Sequence, residues 1–280
     1  MRIISLGAGV QSTTVLLLAH RGELPGGPVD YAIFADTGWE PAGVYRHLAW
    51  LEQVSTVPII RAAAGNLRTD ALDPTRRFAS IPLFIVNQRG YQGRVRRQCT
   101  HEYKIEVINR QLRQLLGVGA RTRIAPGTVT SLLGLSLDEV QRMKPARERW
   151  VTIEWPLIDL RMTRHDCVLW LQRRGYPVPP KSSCIGCPFH SDAHWRDMRD
   201  HRPAEWADAC DFDERTRQLR RPTDTRPVGD RYLHRSMRPL RDVDLATPED
   251  GGQTDMFAEE CNGPLRHLTR VLRPAAAGAP

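Results

Sequence analysis

The sequence predicts an α/β protein in which a parallel sheet carries helices on both faces, with a smaller irregular and helical C-terminal region. Two observations predict this fold. Short apolar strands alternate with amphipathic helices from residue 2 to residue 62, as expected of parallel strands joined by helical crossovers. A glycine-rich turn also follows the first strand, where open α/β sheets bind their ligands.

The N-terminal elements follow in order. "RIISL" (residues 2–6) predicts a buried strand, "GAGVQS" a turn, and "TTVLLLAHRG" a helix that ends at Gly22. "VDYAIFADTG" predicts the second strand. "PAGVYRHLAWLEQV" has the 3.6-residue apolar period of a helix with a proline at its start, and "VPIIRA" predicts the third strand.

The middle of the chain begins with an irregular stretch, residues 65–98, and then a clear helix over residues 101–116. "RIAPGTVTSLLGLSLDEVQRM" predicts a strand, a turn and a helix start, because Ser136 and Glu139 stand at capping-box spacing. "WPLIDLRMTRHDCVLWLQRRGYP" predicts a strand end and a helix from about Thr163 that stops at Gly175.

Composition divides the chain into residues 1–200, the α/β domain, and residues 201–280, an arginine-rich extension whose end we predict to be disordered. The net charge of +8 favours an anionic partner, although a GC-rich genome would also enrich arginine. The chain has no apolar run of 18 residues and no signal-peptide pattern, which predicts a cytoplasmic protein without a membrane span. Six cysteines are too few for a disulfide scaffold.

The turn after the first strand, "SLGAGVQST", has the composition of an anion-binding loop. Gly7 and Gly9 let backbone N–H groups approach a ligand, and the helix that follows adds its N-terminal dipole. Ser12 and Thr13 add hydroxyl donors. The turn is neither a Walker A loop nor G-x-G-x-x-G, and glycines also occur in such turns for packing.

The stretch "KSSCIGCPFH" holds a C-x-x-C whose chemistry the spacing alone leaves open. The two thiols fit a redox pair, half of a zinc site or part of an iron–sulfur site. Zinc would accept three cysteines together with His190 or His101. Cys167 lies in the middle of a predicted helix and is expected in the core, and we expect no special role for Cys210.

Five motifs in order resemble the phosphoadenosine phosphosulfate (PAPS) reductase family of the PP-loop, or adenine nucleotide alpha-hydrolase, superfamily. They are "GAGVQS", "FADTGWEP", "CTHEYKIEVI", "WPLIDLRMTRHDCVLWLQRRGYP" and "CIGCP", which together span about residues 3 to 190. Gln11 stands where the usual PP-loop has Asp. Ser136 and Leu137 stand where the reductases carry basic residues.

The resemblance implies a Rossmann-like fold that binds ATP or another adenine nucleotide. Asp138 and Glu139 would hold Mg²⁺ or balance the charge of a helix start. Asp36 and Thr37 would lie near the nucleotide or form an Asx turn. The nucleotide-binding residues that the resemblance implies are Ser5, Gly7, Gly9, Gln11, Ser12, Thr13, Asp36, Thr37, Gly38, Gly134, Asp138 and Glu139.

For the thiols, the resemblance implies a [4Fe–4S] cluster on Cys99, Cys184 and Cys187, with zinc as the alternative. Three cysteines leave one iron without a protein sulfur, which is the pattern of PP-loop tRNA thiolases. Arg96 and Arg97 would offset the cluster's negative charge.

The expected function is an iron–sulfur-dependent, ATP-activating sulfurtransferase acting on a nucleobase or other anionic acceptor, tRNA and DNA included, with a sulfur donor or thiol reductant. One alternative is a sulfonucleotide reductase that releases sulfite, with Cys261 in "AEECNGPL" as its nucleophile and His267 following. Another is a nucleic-acid-binding accessory subunit with a structural metal. The oligomeric state stays open, a homo-oligomer included.

Overall fold

The computed structural model describes residues 1–75, 81–86, 90, 92–219 and 229–246. Its strands are β1 (Arg2–Leu6), β2 (Tyr31–Asp36), β3 (Ile59–Ala63), β4 (Phe84–Val86), β5 (Gln92–Arg94), β6 (Val129–Leu133), β7 (Val151–Glu154) and β8 (Asp230–Tyr232). Five of them form a parallel sheet in the order β3-β2-β1-β6-β7. The predicted α/β architecture is therefore confirmed.

The α-helices are α1 (Val10–His20), α2 (Ala42–Val54), α3 (Leu67–Leu72), α4 (Glu106–Leu115), α5 (Pro156–Asp159), α6 (Arg164–Arg173), α7 (Asp192–His201) and α8 (Pro203–Gln218). Two 3₁₀ turns cover Leu137–Arg142 and Leu240–Asp242. A π-helical turn, His101–Ile105, precedes α4 in the segment predicted as one helix. Helix α1 begins at Val10, earlier than the sequence predicted, so the glycine-rich turn is shorter and its last residues are helical.

Alternate residues of β1 and β2 face opposite layers, as the two-residue period of a strand requires. Ile4, Leu6 and Phe34 pack with α1, α2 and α6. The core on this side of the sheet also includes Leu16, Leu48 and Leu171. Ile3 and Ile33 pack on the other side, with Val107 and Leu112 of α4. The strand order reverses at β1, between β2 and β6, and the crevice at such a switch point is where these sheets bind ligands.

A second, antiparallel sheet with the order β5-β4-β8 was missed by the sequence prediction. It belongs to a hydrophobic cluster built from both sides of residue 200, including Leu72, Leu83, Trp195, Phe212 and Leu233. The carboxylate of Asp213, in α8, accepts hydrogen bonds from the backbone N–H of Leu233 (2.7 Å) and of Leu240 (2.9 Å), and it pairs with Arg217. This buried carboxylate fixes β8 against α8.

Helix termini match the sequence prediction at one place and differ at another. Thr163 caps α6 with a reciprocal capping box to Asp166, and α6 gives way to Gly175, which has a left-handed φ of 70°. The capping box predicted between Ser136 and Glu139 is wrong, because a 3₁₀ turn follows and Ser136 makes no capping bond there. Cys167 is fully buried in the core, as predicted, and burial raises its pKa to about 11.

The expected disorder of the C-terminal end and the role of Cys261 lie outside the described residues. Among the helices that the structure describes, none is both long enough and apolar enough to span a membrane.

Candidate functional site

The loop between β1 and α1 opens at the carboxyl edge of the sheet, beside the switch point. Ala8 is buried and has a left-handed φ of 53°, which is uncommon for a residue with a side chain. Gly9 is the N-cap of α1 and supplies no side-chain cap. The first intrahelical bond runs from the Thr13 N–H to the Gly9 carbonyl (2.9 Å), so the preceding N–H groups have no partner within the helix. This end of α1 is suited to an anion.

The hydroxyls predicted to bind a ligand are used within the fold. Ser12 Oγ accepts the Gly7 N–H (3.1 Å) and donates to the Gly9 carbonyl (3.3 Å), so it closes the loop on itself. Thr13 is fully buried and lies 3.0 Å from Nε2 of His47, between α1 and α2. The prediction that Thr13 offers its hydroxyl to a ligand is therefore corrected: it faces the core.

The end of β6 is packed directly against the first turn of α1. A Cβ placed on Gly134 would lie 2.6 Å from the backbone nitrogen of Ser12 and 2.8 Å from the carbonyl carbon of Gln11. Real Cβ atoms do not approach backbone so closely, so position 134 requires glycine. Gly134 therefore has a packing role in addition to the nucleotide-binding role that the sequence predicts. Ser5 lies half-buried within β1, paired with Ile33 and Leu133.

Hydrogen-bonded polar side chains connect α1 to the turn after β6 across the crevice. The Gln11 amide donates to Ser136 Oγ and to Glu139 Oε2, each at 3.3 Å. Glu139 also pairs with Arg142. A carboxylate thus reaches the loop from Glu139. Asp138, by contrast, accepts the Arg164 N–H (2.9 Å) at the start of α6 and is exposed.

The Asx turn, one of the two roles predicted for Asp36, is present at the end of β2. One oxygen of Asp36 accepts the Gly38 N–H (2.7 Å) and the Tyr45 hydroxyl (2.8 Å). Gly38 has a φ of 68°, and a Cβ there would lie 2.8 Å from the Asn66 amide nitrogen. Asp36 and Gly38 therefore shape the turn, and their contact with a nucleotide stays a prediction.

Thr37 connects this turn to the cysteines. Its buried hydroxyl lies 3.3 Å from Cys184 Sγ and 3.3 Å from Glu40 Oε1. Glu40 is 3% exposed, and its Oε1 also receives the Lys104 ammonium at 3.2 Å and lies 3.6 Å from Cys184 Sγ. Its other oxygen, Oε2, is buried and has no hydrogen-bond partner in the described part of the chain. Burial raises the pKa of Cys184, and the charge of Glu40 raises it further.

Cys99 and Cys187 belong to the same neighbourhood. Burial raises the pKa of Cys187, the Phe189 backbone N–H and the charge of Arg97 oppose that rise, and the charge of Cys99 adds to it. The pKa of Lys104 is raised above its ordinary value: burial lowers it, but Glu40, Cys184 and Cys187 outweigh that effect. A redox C-x-x-C works through a thiol of lowered pKa, which neither Cys184 nor Cys187 has.

Both histidines considered for a zinc site have other partners. His190 Nε2 lies 3.0 Å from the Cys184 carbonyl and 3.2 Å from the Ile185 carbonyl, and burial lowers its pKa well below the ordinary value. His101 Nε2 is 3.1 Å from Glu106. Within the described ranges, no three His, Cys, Asp or Glu side chains are grouped so that they could hold a single metal ion.

The segment 181–186 joins the loop to the cysteines. Ser182 Oγ donates to the Gly7 carbonyl, and a Cβ on Gly9 would lie 3.2 Å from Ser182 Cβ. Lys181, the preceding residue, is exposed, and desolvation of its ammonium lowers its pKa. Two residues further on, Cys184 contacts Thr37. A Cβ on Gly186 would fall 1.9 Å from the Trp39 ring, so this segment packs tightly on the turn after β2.

Sequence reasoning did not find Glu40, Lys104, Lys181 or Ser182. Glu40 and Lys104 lie inside motifs that were recognised, "FADTGWEP" and "CTHEYKIEVI", and only the fold shows that they form an ion pair beside Cys184. The π-helical turn that carries Lys104 is a rare element that is frequent at functional sites.

Comparison with known proteins finds similarity among solved structures alone. No protein-family model matches the chain, and no curated protein matches it. The chain is similar to a solved structure, phosphoadenylyl-sulfate (PAPS) reductase from Candida auris in a phosphate complex. The two chains share 12% sequence identity, the match covers 64% of this chain and 74% of that chain, and the TM-score is 0.39.

Proposed function

We propose that this protein is a PAPS reductase-like PP-loop enzyme, an iron–sulfur-dependent sulfurtransferase that activates its acceptor with ATP. The observation that carries the proposal is the segment 181–184. Ser182 bonds the β1–α1 loop at Gly7, and Cys184 contacts Thr37 at the end of β2. Activation at the loop and sulfur delivery at the cysteines would therefore take place in one crevice.

The donor set suits an iron–sulfur cluster. Cys99, Cys184 and Cys187 would supply soft thiolate ligands from two segments, and Lys104 and Arg97 would oppose their negative charge. Cys99, Cys184 and Cys187 would hold the cluster, which would supply an iron without a protein sulfur as the place where the transferred sulfur is bound. Zinc stays the alternative, because a histidine that bonds a carbonyl or carboxylate through Nε2, as His190 and His101 do, can still bind a metal through its other ring nitrogen.

The chain's own residues bind and orient the nucleotide. The N–H groups at the start of α1 would receive its phosphates, and Lys181 would add a cation beside them. Glu139, held by Gln11, would be a Mg²⁺ ligand, with Asp138 available at the edge of the crevice.

In the proposed reaction, a carbonyl oxygen of the acceptor attacks the α-phosphorus of ATP and pyrophosphate leaves. Hydrosulfide then adds to the activated carbon, the C–O bond to AMP breaks, and a proton is released as the C=S group forms. Preorganised N–H donors at the loop would stabilise the charge that develops on phosphate in both steps. The overall exchange consumes no reductant.

The test uses anaerobically purified full-length protein with ATP, Mg²⁺, radiolabelled sulfide and unfractionated RNA or single-stranded DNA. We expect ATP-dependent label in the nucleic acid, lost in Cys184→Ser and in Gly9→Val, whose side chain would press on Ser182. Release of sulfite from PAPS with thioredoxin, without label transfer, would instead establish the reductase alternative. Binding of nucleic acid with neither turnover would favour the accessory-subunit alternative.

A further inference from the structure

An exposed aromatic side chain, close in sequence to the cysteines, contacts two arginines. Phe189 is 42% exposed. The guanidinium carbon of Arg94 lies 4.9 Å from the centre of its ring, and that of Arg97 lies 5.3 Å from it. We call Phe189, Arg94 and Arg97 the stacking patch.

The stacking patch is strongly positive. Arg94 lies on the exposed strand β5, and Arg96 and Arg97 are exposed in the segment that leads to Cys99. None of the carboxylates in the described ranges forms an ion pair with these three arginines, in contrast to Arg61, Arg68 and Arg202 elsewhere on the surface. Flat guanidinium groups next to an aromatic face suit a partner with both phosphates and flat rings.

The stacking patch is also connected to a cysteine. Phe189 follows Cys187 by two residues, and Arg97 precedes Cys99 by two residues. A group stacked on Phe189 would therefore lie next to the cysteines rather than at a remote surface.

We propose that the stacking patch binds single-stranded nucleic acid, with an unpaired base on Phe189 and its flanking phosphates on Arg94 and Arg97. Aromatic faces with nearby arginines are the usual platform for single strands, since every base has a face that stacks. Bases inside a duplex have both faces covered by their neighbours. The proposal names the acceptor class of the proposed sulfurtransferase and rests on that function for its chemistry, whereas strand binding itself needs neither ATP nor iron.

The test is fluorescence anisotropy with the full-length protein and labelled oligonucleotides of one mixed sequence, as single-stranded DNA, single-stranded RNA and duplex DNA. We expect both single strands to bind more tightly than the duplex. Phe189→Ala should raise Kd for a single strand at least about fivefold, and Phe189→Trp should restore binding. Val178→Ala removes an equally exposed apolar side chain (42%) and should leave Kd unchanged.

The arginines give a second, independent readout. Arg97→Gln should lower the slope of log K against log salt by about 0.7, the value for one phosphate contact on a single strand. Arg174→Gln removes the same charge from another arginine–aromatic pair, over Trp170 at 4.2 Å, and should leave the slope unchanged. Melting temperatures of all variants show that they are folded.

Equal affinity of wild type and Phe189→Ala, or a duplex bound as tightly as the single strands, would overturn the proposal. Failure of the proposed function looks different. In that case single strands bind at the stacking patch while label transfer from sulfide does not occur, and only the assigned chemistry is contradicted.

Discussion

Replacing Gly134 with alanine should destabilise the protein because the new Cβ meets backbone. The Cβ would lie 2.6 Å from Ser12 N, 2.7 Å from Ser12 Cα and 2.8 Å from the Gln11 carbonyl carbon. These atoms belong to the first turn of α1 and cannot turn away as a side chain can. Overpacking of a fitted site costs about 1–3 kcal/mol, and α1 has to shift as a whole to relieve the contact.

Gly7→Ala is the matched control, since it makes the same change in the same crevice. There a Cβ would stand 3.7 Å from Ser12 Oγ and 3.8 Å from Ser182 Oγ, which is ordinary contact, and the backbone is not left-handed. Alanine at a compatible glycine position changes stability by less than about 1 kcal/mol.

The assay is thermal and urea unfolding of wild type and both variants, with and without ATP and Mg²⁺. For a chain of this size 1 kcal/mol corresponds to about 2–4 °C in Tm, so Gly134→Ala should lower Tm by roughly 2–12 °C. It should also reduce the rise in Tm on adding nucleotide, because the displaced turn is the predicted phosphate site. A Gly134→Ala protein as stable as Gly7→Ala would refute the close approach of β6 to α1.

Three further outcomes are expected. Asp213→Ala should lower the free energy of unfolding by about 3–5 kcal/mol in urea titration, since it strips a buried charge network. Asp211 is 47% exposed and pairs with Arg68 and Arg215, so Asp211→Ala should cost under about 1 kcal/mol. Burial lowers the pKa of His47 from 6.5 to about 4, so on acidification the unfolded chain binds a proton at this histidine before the folded protein does. Up to roughly 3 kcal/mol of the stability present above pH 6.5 should therefore be lost between pH 6.5 and pH 4. Unfolding curves of His47→Asn should lack that part of the loss. Cys261→Ser should retain bound iron and ATP-dependent sulfur transfer, both of which Cys184→Ser should lose; sulfite release from PAPS that disappears in Cys261→Ser would contradict this expectation.

The sequence was sufficient for most of the parallel sheet because its signals are local, but the strand end expected in "WPLID" is the short helix α5, which follows β7. Apolar runs, glycine stops and the Thr163 cap each act within a few residues, and β1, β2, β3 and α6 lie where the patterns predicted them. The second sheet was missed for the opposite reason. Strands β4, β5 and β8 are 3 residues each, and β4 pairs with β8 across more than 140 positions of the chain (Phe84↔Tyr232).

In the candidate site, too, local features were predicted from the sequence and long-range contacts were not. The motifs selected Gly9, Thr37 and Cys184, and the fold places Ser182 beside Gly9 and Cys184 beside Thr37, but the motifs did not indicate which side chains face one another. Thr13 follows the loop in sequence, yet the helical turn directs it into the core toward His47. Glu40 gave no signal of its own, since one acid after a turn is ordinary, and only its burial against Lys104 distinguishes it.

The measurement that decides the account is iron and acid-labile sulfide analysis, with an absorption spectrum, of anaerobically purified full-length protein. Cys99→Ser, Cys184→Ser and Cys187→Ser are compared with wild type, and Cys210→Ser, at a buried core cysteine, is the control. We expect brown wild-type and Cys210→Ser proteins with about four irons per chain and a broad absorption that bleaches on reduction. Each of the other three variants should lose the iron and the colour. A colourless wild-type protein with one zinc per chain, or a cluster that survives all three substitutions, would contradict the account.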